Sequence, residues 1–190
     1  MNRILYKLLI PIDKLYISFY FPIKINKENI PKDGSLILAG NHTSNNDALL
    51  LMSCTSRIIR FLAKKEIFNG KISSLFFKKI GVIPVDRSRK NPEVIKHACD
   101  CLNNGELIGI FPEGTINRTN DIIMPFKYGA VKMAKDTNSL ILPFAISGKY
   151  KFFRKSVKVI FGRPYKVSGN LEDEKKILEN KIIKLLKEIK

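Results

Sequence analysis

Ser35-Leu36-Ile37-Leu38-Ala39-Gly40-Asn41-His42-Thr43-Ser44-Asn45-Asn46-Asp47 passes from apolar to polar within a few residues. Ser35 to Ala39 is too short for a buried helix and has the continuous apolar character of a strand covered on both faces. Thr43 to Asn46 are turn and capping residues, and a helical stretch at about 46–55 follows. The same strand, loop, helix pattern recurs along the chain. Apolar runs at Ile58 to Ala63, Val82 to Val85, Leu107 to Phe111, Leu140 to Ile146 and Val157 to Phe161 read as further strands. Helices are expected at about 65–79, 92–103, 126–136 and 171–190. The second of these is marked by Asn91 as cap, Pro92 at the first position and Gly105 past the end. Alternation of this kind defines an α/β fold, a single domain with a mostly parallel central sheet flanked by helices. Residues 26–190 form that domain, and residues 1–25 an amphipathic N-terminal segment.

Ligands of open α/β sheets bind outside the carboxyl ends of the strands. Three loops qualify: Asn41 to Asp47, Asp86-Arg87, and Pro112-Glu113-Gly114-Thr115. In the first, His42 and Asp47 are a candidate base and the acid that orients it. Five residues apart on one helix they would diverge by about 140°, so they meet only if a turn separates them, and Thr43 to Asn46 supply turn residues. A carboxylate holding one imidazole nitrogen leaves the other to accept a proton from a hydroxyl. Taken alone, the pair reads more readily as a helix cap beside a loop histidine. In the third loop Gly114 permits close approach of backbone amides to an anion, with Thr115 and Arg118 as further donors; Arg87 offers a fork to the same group. Each also has a plain reading as loop punctuation or a surface ion pair. His97 lies within the 92–103 helix and reads as structural. The sequence G-x-S-x-G is absent, which argues against a serine nucleophile elbow.

The chain has 190 residues, enough for one domain with a real core. Its 34 Lys and Arg against 17 Asp and Glu give a net charge of +17, and 45% of its residues are hydrophobic, which excludes a disordered basic tail. The excess sits in residues 57–90, with ten basic and two acidic side chains, and 127–166, with ten and one. Nucleic acid, an anionic membrane face and an anionic substrate are the partners such charge admits, beside a plain solvated surface. Cys54, Cys99 and Cys101 without a secretory signal point to a reducing compartment, and no zinc-ligand spacing exists, so no metal is expected. In residues 1–23 the longest charge-free run, Leu15 to Ile23, is too short to span a bilayer. Ile4, Leu5, Leu8, Leu9, Ile12, Leu15, Tyr16 and Phe19 instead recur at helical spacing with Pro11 as an expected kink. That stripe is read either as a helix packed on its own domain or as one lying in a headgroup layer.

In order and spacing these blocks resemble the 1-acylglycerol-3-phosphate acyltransferase family, the lysophosphatidic acid acyltransferases, over about Ile30 to Tyr165. The blocks are Pro31-Lys32-Asp33-Gly34 leading to Asn41-His42 and Asp47; Ala63-Lys64-Lys65-Glu66 with Gly81 to Arg87; Phe111 to Thr115 with Pro125-Phe126-Lys127 and Gly129; and Leu142-Pro143-Phe144. The resemblance implies His42 as general base and Asp47 as its orienting acid. It places Lys64, Arg87, Glu113, Gly114, Thr115 and Arg118 around the acceptor phosphate. It implies acyl transfer from an acyl thioester, carried by coenzyme A or acyl carrier protein, to lysophosphatidate, with no cofactor. The expected location is the cytoplasmic face of the cell membrane, peripheral or interfacial, against an anionic surface. Ile116 stands where the family usually has Arg, which bears on phosphate binding and so on the acceptor; Lys71 and Ser74 replace a usual Pro and Gly. Another lysophospholipid or glycerol phosphate as acceptor, a thioester or lipid hydrolase, and a basic nucleic-acid-binding module are the alternatives. The last lacks a recognised reader motif, so nucleic acid is not expected.

Overall fold

The computed structural model describes residues 1–86 and 92–189. Arg87 and Asn91 therefore lie outside the described residues, as does the last residue, Lys190.

The opening stretch of sequence becomes β2 (Leu36–Gly40), every residue of which is buried. It is central because it is apolar on both sides. Ile37 and Ala39 face one core, Leu36 and Leu38 the other, the two-residue period of a strand sandwiched between layers. Parallel partners flank it: β5 (Leu107–Ile110) on one side and β6 (Leu140–Gly148) on the other. Outward from β5 run β3 (Ile59–Lys64) and β4 (Ile83–Val85), both parallel. Beyond β6 the direction reverses at β7 (Val157–Phe161), which carries β1 (Ile23–Ile25) parallel to it at the edge. β8 (Tyr165–Lys166) pairs with the start of β6. The sheet is thus mostly parallel, in the order β1-β7-β6-β2-β5-β3-β4.

Helices cover both faces. α4 (Pro92–Asn103), α5 (Gly129–Thr137) and α6 (Leu171–Ile189) supply one core with Leu102, Met133 and Ile182. α1 (Arg3–Ser18), α2 (Asp47–Met52) and α3 (Lys71–Ile80) cover the other through Tyr6, Leu50, Leu51 and Ile80. Residues 23–25, at the end of the N-terminal segment, enter the sheet as its edge strand.

Two helical expectations are revised. The stretch at 65–79 divides into a 3₁₀ turn (Lys65–Phe68) and α3, because Gly70 is extended (φ −83°, ψ 139°) and serves as the cap of a new helix. α1 runs through Pro11 as one element, and its predicted stripe is divided between two environments. Tyr6, Asp13 and Ile17 are buried against the core, with Leu5, Leu9 and Tyr16 packed beside them. Ile4, Leu8, Ile12 and Leu15 point outward, Ile4 at 73% exposure.

Part of the basic excess is structural. The Arg57 guanidinium donates to the carbonyls of Pro31, Asp33, Gly34 and Gly105, fastening two loops at the amino-terminal edge of the sheet. Arg60 pairs with Glu106.

Candidate active site

Where β2 ends, the chain must leave the sheet without orphaning its backbone. Asn41 does this with its side chain, donating to the Ile146 carbonyl and accepting from the Ile146 amide, both at 2.8 Å. Gly40 just before it lies so close to the Phe144 ring that a Cβ there would overlap it. The loop is therefore anchored on β6 before His42 begins.

His42 and Asp47 meet. Nδ1 of His42 is 2.9 Å from Asp47 Oδ2, the contact that a single helix forbids and the intervening turn allows. Asp47 opens α2 and is fully buried. Its Oδ2 also accepts from the amides of Thr43 (2.6 Å) and Ser44 (2.9 Å), which the turn points inward. Its Oδ1 accepts from the hydroxyls of Tyr150 (2.8 Å) and Thr43 (3.2 Å). A carboxylate so placed accepts only, so the imidazole proton sits on Nδ1 and Nε2 carries the free lone pair. The His42 ring lies flat on Phe111, centroids 3.9 Å apart, which fixes its plane.

The 112–118 loop closes against the same histidine. Glu113 is buried and spends both oxygens on backbone: Oε1 accepts from the His42 amide (2.8 Å) and Oε2 from the Met124 amide (2.9 Å). Burial pushes its carboxyl above the usual range, against the pull of those two amides. The Asn117 amide in turn donates to the His42 carbonyl at 2.8 Å. Gly114 has φ +75°, a left-handed conformation that suits glycine, and a Cβ on it would press on the Lys127 side chain.

Of the residues singled out in the sequence, His42, Asp47, Glu113 and Gly114 come together in one cluster. Thr115 and Arg118 are exposed on the same loop. Lys64 ends β3, on the carboxyl-terminal edge of the sheet that β2 and β5 share, and is exposed. Arg87 lies outside the described residues. His97 is exposed on α4. Burial pushes the thiols of Cys54 and Cys101 up to about 11, so neither offers a thiolate near neutral pH. Tyr150 lies 103 positions from Asp47, and no local spacing in the sequence signals it.

The family profile described as Acyltransferase matches residues 22–147, two thirds of the chain and all of this cluster. The chain belongs to the acyltransferase family. Among its relatives is a 1-acyl-sn-glycerol-3-phosphate acyltransferase of Bacillus subtilis (strain 168), 37% identical over 157 residues that make up 80% of this chain and 77% of that protein. A second, from Borreliella burgdorferi, is 34% identical over 71% of this chain, which spans 54% of its length. The fold is that of the crystallised 1-acyl-sn-glycerophosphate acyltransferase from Thermotoga maritima, with a TM-score of 0.80 at 22% identity over 97% of this chain and 79% of that one.

Beside the cluster, this acyltransferase has a cavity of about 820 Å³ between α4, α5 and the sheet. Leu62, Ile95, Cys99 and Ile110 line it, with Phe111 shared between its wall and the His42 stack. Lys127 lies at the cavity as well as against Gly114. Among the described residues no group of three or more His, Cys, Asp or Glu side chains is placed to hold a metal ion.

Proposed function

We propose that this chain is a 1-acylglycerol-3-phosphate O-acyltransferase that works at a membrane surface. The observation that carries the reading is the 2.9 Å contact between His42 Nδ1 and the buried Asp47, which leaves Nε2 basic beside an anion-suited loop. In this reading Nε2 takes the proton of the free hydroxyl of 1-acylglycerol-3-phosphate, and Asp47 stabilises the resulting imidazolium. The hydroxyl oxygen attacks the carbonyl carbon of an acyl thioester. The carbon–sulfur bond then breaks, and the departing thiolate receives the proton from His42. The products are phosphatidate and the free thiol of coenzyme A or acyl carrier protein. Backbone amides around Gly114, with Thr115, Arg118, Lys64 and Arg87, are the groups proposed to hold the acceptor phosphate. The names of the relatives support this acceptor.

The membrane part of the reading rests on the layer that covers the α1 side. Ile4, Leu8, Ile12 and Leu15 of α1, Ile72 (87% exposed) and Leu75 of α3, and Phe152 and Phe153 all present large apolar side chains to solvent. These elements are joined: the Asn2 amide donates to the Lys79 carbonyl, and the Phe153 amide to the Phe19 carbonyl, each at 2.7 Å. Lys149, Lys151, Arg154 and Lys155 surround the two phenylalanines in sequence. Apolar side chains among lysines suit an anionic headgroup layer, here the cytoplasmic face of the cell membrane in a peripheral or interfacial pose. Among the described residues no helix is long and apolar enough to cross a bilayer.

The test is acyl transfer from a thioester to lysophosphatidate, followed by mass spectrometry. His42→Ala is expected to lower phosphatidate formation by about 10³-fold. An unchanged rate would overturn the mechanism, and thioester loss without acceptor would identify a hydrolase. Conversion of other lysolipids alone would reassign the acceptor.

A further inference from the structure

Asp47 is completely buried and has donors on both oxygens. Three of its partners, His42, Thr43 and Ser44, belong to its own loop. Among the described residues Tyr150 is the one donor from elsewhere in the chain, reaching Oδ1 at 2.8 Å from the turn that follows β6. Its ring is held in place. Tyr20 of the segment after α1 meets it edge-on with centroids 5.5 Å apart, and Phe152 packs on Tyr20 at 4.5 Å. Tyr20 also shares a 3.0 Å hydroxyl contact with Tyr16, which reaches Asn46 at the cap of α2.

We propose that Tyr150 is a positioning residue that acts through Asp47: its hydroxyl draws charge from Oδ1 and thereby sets the basicity of His42. The inference rests on the general-base reading above, and its consequence is specific. In Tyr150→Phe the ring and its contact with Tyr20 remain, and Thr43 and Ser44 still hold Oδ2 beside His42. The carboxylate, one donor poorer, keeps more of its charge and stabilises the imidazolium better. His42 then binds its proton more tightly. The other ionisable groups facing the pair are Glu113, whose Oε1 accepts from the His42 amide, and, behind Tyr150, Tyr20 and Cys54. All three stay in place. Burial first, and the Asp47 charge second, hold the Tyr150 hydroxyl well above its ordinary pKa, so it remains a donor throughout the working range.

The experiment compares the pH dependence of kcat/KM for wild type and Tyr150→Phe on lysophosphatidate and an acyl thioester. The acidic limb should move up by about 0.5 pH unit or more, while the plateau at high pH stays within about twofold. General damage to the fold would lower the plateau and leave the limb in place. In parallel, the His42 ring proton is titrated by NMR in the full chain. The chain has two histidines, so a His97→Gln background leaves one resonance to follow. The titration midpoint should rise with the limb. An unmoved or lowered His42 midpoint in Tyr150→Phe overturns the proposal, whatever the activity. Wild type that makes no phosphatidate while the midpoint still rises would sink the acyltransferase reading alone.

Discussion

Asp47 and Asp13, two of the buried carboxylates among the described residues, are treated in opposite ways. Asp47 is fully enclosed at the head of α2 and receives the amides of Thr43 and Ser44, two hydroxyls and an imidazole. Asp13 is 7% exposed in the middle of α1, and neither of its oxygens has a hydrogen-bond partner. The difference follows from where each sits in its helix. The turn before a helix has free amides to offer a side chain; the interior of a helix has none, because each amide is already bonded four residues back. Burial pushes the Asp13 carboxyl up to about 7, against the pull of Lys24 and Lys14. Lys24 is committed elsewhere, donating to the carbonyl and hydroxyl of Ser53. One buried acid is fully supplied with donors, and the other is a standing cost to the seating of a surface helix.

The largest effect is expected where the donors converge. Asp47→Asn keeps the size of the side chain but can turn an NH₂ toward His42, forcing the imidazole proton onto Nε2 and abolishing the base. Acyl transfer should fall by about 10³-fold, measured as phosphatidate formed per minute. A rate within tenfold of wild type would break the contrast from the Asp47 side.

Asp13 breaks or sharpens it from the other side. An acid whose folded pKa is raised destabilises the fold above its unfolded pKa. Stability should therefore fall as pH rises from about 4 toward about 7 and stay low above that. Asp13→Leu removes the liability. Urea unfolding should show a gain on the order of 2 kcal/mol at pH 8 and a clearly smaller one at pH 5. Equal gains at both would mean that burial does not raise the carboxyl above its ordinary pKa.

The smallest of the three effects concerns the outer side of that helix. Leu8→Asn with Ile12→Asn replaces side chains that are each 63% exposed, so the melting temperature should hardly move. Flotation with anionic vesicles should weaken by about tenfold. Unchanged flotation would remove α1 from the membrane reading.

Legibility in the sequence tracked the range of the interactions. The six apolar runs became strands β2 to β7 because a strand between two helical layers needs apolar side chains on both faces, a local pattern. The edge strand β1 has three residues and escaped, since what holds it is pairing with β7 far along the chain. The break at Gly70 carried a visible signal, glycine inside a helical run, and the helix restarts at the next residue, Lys71. In the site, His42 and Asp47 were legible because they lie five positions apart with a turn between them. Glu113 was legible as part of its loop, but its partners, the amides of His42 and Met124, were not.

The sequence by itself determined the α/β alternation, the loops at the strand ends and the meeting of His42 with Asp47, all of which depend on spacings within a dozen residues. Tertiary structure alone decided which side of α1 is covered, that Asp13 is buried without a partner, and that Tyr150 joins Asp47. A helix with apolar residues on more than one side does not say which side will pack. A hydrogen bond between residues 103 positions apart has no period to announce it.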